Sequence, residues 1–263
     1  MCAMFFSRSI DDFGGKIPFI VTDLVEKLRE SGCMTVEGVF RVNGSNKEVW
    51  DMIIRLDNGR IKDWGELKGV HTVASVLKKY FRDKISSDAL FPSDIYEKIV
   101  RVSAIKNREE QVEAMKEALS SLSKPKMLTI AYLFRFLHEI YQNASVNKME
   151  AHNLAIVFAP TLFSAITGTT EQLLQSNAIQ NSLITLIIKN SPEIFQSVEI
   201  SESDTLTDEE IELIECPSLS QTDIDHIVML RDIRKKSRIP YIPENPEIHT
   251  LISRPTRHYV HMQ

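Results

Sequence analysis

Apolar side chains recur at helical spacing through the first 199 residues of this chain. Ile20, Leu24 and Leu28 stand four positions apart, which places them on one face of a helix running from about Phe19 to Arg29. Stripes of the same kind follow along the chain: Val49, Ile53, Leu56; Val73, Leu77, Tyr80, Phe81; Ile95, Ile99, Val102; Val112, Met115, Leu119; Leu133, Phe136, Leu137, Ile140; Leu154, Val157, Phe158; Leu174, Leu183, Leu186, Ile187. No segment alternates apolar and polar residues over the length of a long strand. The sequence therefore predicts an all-α bundle, with the strongly apolar helix around Leu133–Ile140 at its centre.

The second of these helices has start and stop signals of its own. Ser45-Asn46-Lys47-Glu48 is a capping-box pattern, in which each end residue's side chain bonds the other's backbone N–H. Asn58-Gly59 is expected to end the helix. Just before the box, Val39-Phe40-Arg41-Val42 lies between Gly38 and Gly44, and this spacing predicts an extended loop or turn.

The charge distribution predicts a boundary near residue 198. Residues 1–199 hold 24 basic and 24 acidic side chains, so the whole net charge of −5 lies in the last quarter of the chain. Residues 201–225 carry nine acids and no base, and five of the ten prolines lie beyond residue 200. We predict an N-terminal extension (1–14), a helical domain (15–198) and an acidic-then-basic, partly helical, proline-containing tail (199–263). Within the tail, Thr207–Glu210 could cap a short helix, and 222–236 could form another.

Several classes of function are disfavoured by composition and motifs. A net charge of −5 argues against nucleic acid as a partner. The three cysteines form no CxxC pair, and Gln142 stands where a zinc protease motif beginning at His138-Glu139 would need its second histidine. There is no GxxxxGK[ST] phosphate loop and no GxSxG elbow. With neither a leader-like segment nor an apolar run of about 20 residues, we expect a soluble, cytoplasmic protein with no metal site and no integral membrane segment.

One loop stands out once these classes are set aside. Glu37-Gly38-Val39-Phe40-Arg41-Val42-Asn43-Gly44-Ser45 places an arginine on a short segment bracketed by two glycines, opening directly onto a helix. Glycines permit a tight, protruding path, and the helix would anchor one end. From this loop alone, a solvated surface arginine is the commoner explanation.

Two further segments bear on that interpretation. In Val70–Asp83, Lys78 and Arg82 are four positions apart and share the polar side of an amphipathic helix. In Asn147–Leu162, Asn153 is a polar residue within an apolar helix, which usually means that its amide binds something specific. Pro160 is expected to end that helix or to bend the segment that leaves it.

Taken in order, the three segments resemble the signature blocks of the RhoGAP family, the GTPase-activating domains for Rho-type small GTPases. The family consensus runs approximately EGIFRxSGS, HxVAxLLKxFLRELPEP and NKMxxxNLAxVFxPxL; this chain has EGVFRVNGS, HTVASVLKKYFRDK and NKMEAHNLAIVFAPTL. The entry segment Gly15–Val21 is also similar, and the resemblance covers about residues 10–198. It implies an all-helical RhoGAP-like bundle that regulates signalling, and with it the cytoskeleton, by accelerating GTP hydrolysis on a partner.

The resemblance also implies a role for each candidate residue. Arg41 matches the family's arginine finger, which is inserted in trans into the GTPase and is worth about 10³–10⁵ in rate. Lys78 and Arg82 match basic helix residues that support the finger loop or touch the GTPase. Asn153 matches an asparagine beside the finger that holds the loop and contacts the partner.

Two assignments complete the implied site. Pro160 matches a proline at the edge of the GTPase-binding surface, and Glu37 could brace the loop by pairing with one of the bases. The partner would carry GTP and Mg²⁺, so the chain needs no cofactor. It would be an activator rather than an enzyme with its own turnover.

The chain departs from the family pattern mainly in its connections. Lys84–Leu90 lacks both prolines of the usual Leu-Pro-Glu-Pro-Leu, and Leu122-Ser123-Lys124-Pro125-Lys126 replaces Leu-Pro-x-x-Asn, changes that would weaken local rigidity. These departures leave the preferred GTPase open. Two alternatives remain: a catalytically weak RhoGAP-like module that only binds GTPases or other signalling partners, and a purely structural helical adaptor. The acidic run 201–225 could compete with the GTPase for the basic stripe, or simply be a solvated linker.

Overall fold

The computed structural model describes residues 5–6, 8–65, 69–85, 88–163 and 169–215, and within these ranges the protein is helical with no strand. The all-α prediction is confirmed. The helices are α1 (Phe19–Glu30), α2 (Asn46–Leu56), α3 (Val70–Lys84), α4 (Ser93–Val102), α5 (Arg108–Leu119), α6 (Lys124–Gln142), α7 (Ala144–Asn147), α8 (Ala151–Leu162), α9 (Thr170–Lys189), α10 (Ser191–Ile194) and α11 (Asp208–Glu215). None of them combines the length and apolar character that crossing a bilayer requires.

Helix α6 is the central helix, as its apolar sequence predicts. It packs against α1, α8, α9 and α10. Its buried side chains include Leu128, Ile130, Leu133, Phe134, Phe136, Leu137 and Ile140. Because these residues occupy more than one face, the helix is surrounded by others rather than laid on a surface.

The capping-box prediction for α2 is wrong, although the helix begins where expected. Ser45 makes no side-chain cap bond. The Glu48 carboxylate instead accepts a hydrogen bond from the Thr72 hydroxyl, on the neighbouring helix α3, at 2.7 Å. Glu48 therefore bonds a residue of another helix instead of the backbone at the start of its own. This bond joins the first turn of α2 to the first turn of α3.

The segment before residue 15 contributes to the core. Its buried apolar side chains are Phe5, Phe6, Ile10 and Phe13. The backbone N–H of Ile10 donates to Asp88 Oδ2 at 2.5 Å, and Lys126 Nζ pairs with Asp88 Oδ1 at 2.7 Å. Asp88 follows α3 in the region where the family's prolines are missing. Its carboxylate thus binds both the N-terminal segment, at Ile10, and helix α6, at Lys126.

The segment from 199 to 215 also packs on the bundle. Leu206 and Ile211 are buried, and the Ile17 backbone N–H donates to the Asp204 carbonyl oxygen at 2.9 Å. Helix α11 begins with the predicted cap: Glu210 N–H donates to Thr207 Oγ1 at 3.2 Å, and Thr207 N–H donates to Glu210 Oε2 at 3.0 Å. The predicted boundaries at 14 and 198 are not tested by these contacts and stay predictions, and the helix expected at 222–236 lies outside the described residues.

Three acids of this segment are paired with bases other than those of the candidate site. Four ion pairs join them to the bundle: Asp204 to Lys124 (3.0 Å), Asp208 to Arg60 (3.3 Å) and Lys62 (2.7 Å), and Glu210 to Lys16 (2.6 Å). Asp204, Asp208 and Glu210 therefore have structural partners in the bundle. Competition of the run 201–225 with a GTPase for Arg41, Lys78 and Arg82 stays a prediction.

This packing predicts the outcome of a truncation. A chain ending at residue 199 should be less stable than one ending at 215, because it uncovers the surface beneath Leu206 and Ile211. Burial of two such side chains, discounted for partial burial in the unfolded chain, is worth about 2 kcal/mol. Thermal unfolding should show a loss of roughly 4–8 °C. Equal melting temperatures would contradict the inferred contribution of this segment.

Candidate functional site

The loop that carries Arg41 is a tight turn rather than an extended segment. Gly38 and Phe40 both adopt left-handed backbone angles, with φ of 69° at each. The N–H groups of Arg41 and Val42 both donate to the Gly38 carbonyl oxygen at 2.9 Å. A Cβ on residue 38 would lie 3.1 Å from Val42 Cγ2 and 3.3 Å from Arg41 Nη2. Glycine is therefore favoured at residue 38, because a side chain there would be strained by the backbone angle and would push Val42 or Arg41 aside by a few tenths of an ångström.

Phe40 anchors this turn in the core. Its ring is fully buried and packs edge-on against Phe136 of α6 (centroids 6.1 Å apart) and Phe158 of α8 (4.9 Å). A non-glycine residue in the left-handed region costs about 1–3 kcal/mol, which burial of an aromatic ring of this size offsets. With Phe40 held inward, the next residue turns outward, and 52 % of the Arg41 side chain is exposed.

Lys78 supports the turn from below. It is only 7 % exposed, and its ammonium donates to the Phe40 carbonyl oxygen at 2.5 Å and to Asn43 Oδ1 at 3.3 Å. Burial, together with the nearby positive charge of Arg82, lowers the pKa of the Lys78 ammonium. Arg82 is exposed. The two bases that the sequence places on one polar stripe therefore have different surroundings, one beneath the loop and one facing water.

Both ends of the loop are tethered to neighbouring helices. Gly44 N–H donates to Ser75 Oγ of α3 at 3.0 Å, and a Cβ on Gly44 would lie 2.3 Å from the Thr72 Cα, which no side chain could tolerate. At the other end, Gly38 N–H donates to the Asn147 carbonyl oxygen of α7 at 2.8 Å. The backbone around Arg41 is consequently fixed before any partner arrives.

Asn147 is a structural residue of the site that sequence reasoning missed. Its side chain is buried; Nδ2 donates to the carbonyl oxygens of Met34 (3.0 Å) and Ile140 (2.8 Å), and Oδ1 accepts from Met149 N–H (2.8 Å). These bonds hold the α7 backbone against which Gly38 rests. In the sequence, Asn147 resembles an ordinary polar residue near the end of a helix. Only its position at the start of the third motif could have singled it out.

Asn153 and Pro160 lie on α8. The Asn153 side chain is half-buried, and its Nδ2 donates to the Lys148 carbonyl oxygen at 3.2 Å. Its predicted contacts with the loop and with a partner stay predictions. Pro160 is exposed and does not end the helix, which continues to Leu162. The missing N–H removes one bond within the helix, but Phe163 N–H still donates to Ala159 at 2.9 Å, so the last turn persists.

Glu37 approaches Arg41 itself. Its carboxylate lies 4.0 Å from Arg41 Nη2, and 72 % of the Glu37 side chain is exposed. An exposed pair at this distance contributes little to stability. The Arg41 guanidinium is therefore available to an incoming group rather than held by its neighbour.

Exposed apolar side chains lie on the loop and on the helices joined to it. Of the seven large apolar residues that are exposed in the described part of the chain, five lie on the loop or on helices joined to it: Val42, Trp50, Ile54, Val146 and Ile156. Helix α2 follows the loop directly, α7 bonds Gly38, and α8 supplies the Phe158 ring that contacts Phe40. A fixed, half-exposed arginine on elements that also carry exposed apolar side chains is typical of a protein-binding surface.

Comparison with known proteins identifies similar sequences. The family model for the RhoGAP domain matches residues 18–167. Rho GTPase-activating protein gacY of Dictyostelium discoideum is 34 % identical over 180 residues, which are 68 % of this chain and 24 % of that protein. Human SLIT-ROBO Rho GTPase-activating protein 3 is 31 % identical over 191 residues, 72 % of this chain and 17 % of that protein. The chain thus spans about a quarter or less of the length of these curated relatives.

Solved structures share the fold. The crystal structure of human Rho GTPase activating protein 15 superposes with a TM-score of 0.63 at 27 % identity, covering 68 % of this chain and 84 % of that one. The BH domain of Graf, the GTPase regulator associated with focal adhesion kinase, superposes with a TM-score of 0.60 at 22 % identity and covers 73 % of this chain and 100 % of that one. The second match bears on the fold alone.

Proposed function

The chain belongs to the RhoGAP family, and we propose that it accelerates GTP hydrolysis by a Rho-type small GTPase, with Arg41 as an arginine finger supplied in trans. The observation that carries this proposal is the presentation of Arg41. Its backbone is fixed by Phe40, Lys78 and the two flanking glycines, while its guanidinium remains half-exposed and loosely paired. Such an arrangement suits a group that must enter another protein's active site.

The chemistry requires positive charge at the transferred phosphoryl group. A small GTPase hydrolyses GTP slowly because the charge that develops on this group is incompletely stabilised. A guanidinium is permanently charged and offers two parallel N–H donors to phosphate oxygens. In this proposal the partner carries GTP and Mg²⁺, and the chain brings Arg41 to the γ-phosphate.

The fixed loop would raise the efficiency of this contact. A donor that is already in position costs no reorganisation when the transition state forms. Lys78 acts as a positioning residue, because its ammonium holds the carbonyl oxygen of the residue that precedes Arg41. Arg82, Asn153 and Pro160 would contact the GTPase around the finger, and Glu37 would release Arg41 on docking. A cytoplasmic location and a part in cytoskeletal regulation follow from this function and belong to the proposal.

A single-turnover assay tests the function directly. A panel of Rho-, Rac- and Cdc-type GTPases, each loaded with GTP, is mixed with excess chain, and phosphate release is followed. Acceleration of at least one of them by 10³-fold or more is the expected result. Binding to the GTP-loaded forms without acceleration would indicate the binding-only alternative. Neither binding nor acceleration would favour a structural adaptor.

A further inference from the structure

Helix α2 exposes a tryptophan that lies outside the buried core. Trp50 is 55 % exposed, and Ile54, one turn further on, is also exposed. The side of α2 that enters the core consists of other residues: Val49, Met52, Ile53 and Leu56. Trp50 and Ile54 therefore form an apolar strip that faces away from the bundle.

The Trp50 ring is held in place although it faces solvent. Lys79 of α3 places its ammonium over the ring, 4.8 Å from the centroid, and the same ammonium pairs with Asp83 at 2.9 Å. A cation over an indole face is worth roughly 0.5–1 kcal/mol at an exposed site. We call Trp50, Ile54 and Lys79 the Trp50 patch.

The patch continues the surface that presents Arg41. Along α3, Thr72 bonds Glu48, Ser75 bonds Gly44, and Lys78 bonds the Phe40 carbonyl oxygen. Lys79, whose ammonium lies over the Trp50 ring, directly follows Lys78 in the chain. The finger loop, the start of α2 and the patch thus lie side by side along one helix.

From this continuity we propose that the Trp50 patch is a second contact surface for the same GTPase and that it sets the preference among GTPases. This inference rests on the function proposed above. Tryptophan is enriched among the residues that contribute most to binding in protein interfaces. The exposed charged side chains of α2 and α3 are balanced in sign: three are basic and three are acidic, namely Lys47, Arg55 and Arg82 against Glu48, Asp51 and Asp83. The patch therefore fits a GTPase surface that presents an apolar side chain to Trp50 and Ile54, and GTPases that differ at that position should bind differently.

Kinetics on the same panel provide the first test. Trp50→Ala should raise the KM for the best GTPase about tenfold with kcat unchanged, and should change the ratio of kcat/KM between panel members. Trp64→Ala is a matched control, because Trp64 is the other tryptophan of the chain. Its ring also has a lysine ammonium nearby, that of Lys27 on α1, which lies 5.6 Å from the ring centroid. Unchanged kinetics of Trp50→Ala on every GTPase that the wild-type chain accelerates would overturn the inference and leave the proposed function intact.

Fluorine NMR provides the second test. The chain contains two tryptophans, so labelling with 5-fluorotryptophan yields two resonances, and Trp64→Phe assigns the one from Trp50. A GTPase loaded with a non-hydrolysable GTP analogue should shift or broaden the Trp50 resonance and leave the Trp64 resonance in place. A Trp50 resonance that does not respond to a GTPase the chain accelerates would also overturn the inference. If the wild-type chain accelerates no GTPase, the proposed function itself fails, which is a different outcome.

Discussion

Replacing Arg41 with alanine is expected to lower the acceleration of GTP hydrolysis about 10³-fold, or roughly 4 kcal/mol of barrier. Affinity for the GTP-loaded GTPase should change less than tenfold, because the lost contact forms mainly in the transition state. Stability should not change, since the side chain is half-exposed and its pair with Glu37 is long, at 4.0 Å. Single-turnover rates and binding to an analogue-loaded GTPase measure the two effects separately.

Two further variants sharpen this test. Arg41→Lys should recover only part of the rate, because a point charge replaces a two-pronged donor. Arg101→Ala is a matched control, since Arg101 is an exposed arginine on α4 and is not part of the loop or of the helices joined to it. Near-wild-type acceleration by Arg41→Ala would show that another group supplies the charge.

Replacing Lys78 with methionine should reduce acceleration about 100-fold, with a much smaller change in affinity. Methionine can fill the volume of the lysine stem, but it leaves the Phe40 carbonyl oxygen and Asn43 without the ammonium that they accept from at 2.5 and 3.3 Å. The turn would then relax, and displacement of a catalytic group by about 1 Å can cost 10²-fold in rate. Because this ammonium is buried, the loss should be nearly the same at low and high salt.

Lys84→Met is the matched control for this variant. Lys84 is also a buried lysine of α3, and its ammonium also donates to a backbone carbonyl oxygen, that of Arg8, which is not in the finger loop. At pH 7 wild-type Lys84 is compared in its charged form, because burial lowers the pKa of its ammonium only to about 8. Lys84→Met should reduce stability but not acceleration. A Lys78→Met loss that appears mainly in affinity and weakens with salt would instead indicate that Lys78 contacts the GTPase directly.

The local features of the chain were predictable from its sequence. The apolar stripes placed the helices, because a period of about 3.6 residues is a property of each segment by itself. Glycines at 38 and 44 marked the turn, because the backbone there needs a left-handed angle or a close approach that other residues resist. The three motifs, in order, indicated the RhoGAP family before any packing was known.

What the tertiary structure decided is the surroundings of each polar group. Lys78 is buried because Phe40, 38 positions away in the chain, turns its carbonyl oxygen toward α3. Glu48 does not form the predicted capping box, because its carboxylate accepts a hydrogen bond from Thr72 of another helix. Asn147 supports the loop through a bond to Gly38, which is distant in sequence. Asp204, Asp208 and Glu210 likewise pair with distant bases of the bundle. A sequence pattern records which face a residue occupies on its own helix, whereas the partner that lies opposite depends on how the helices pack against one another.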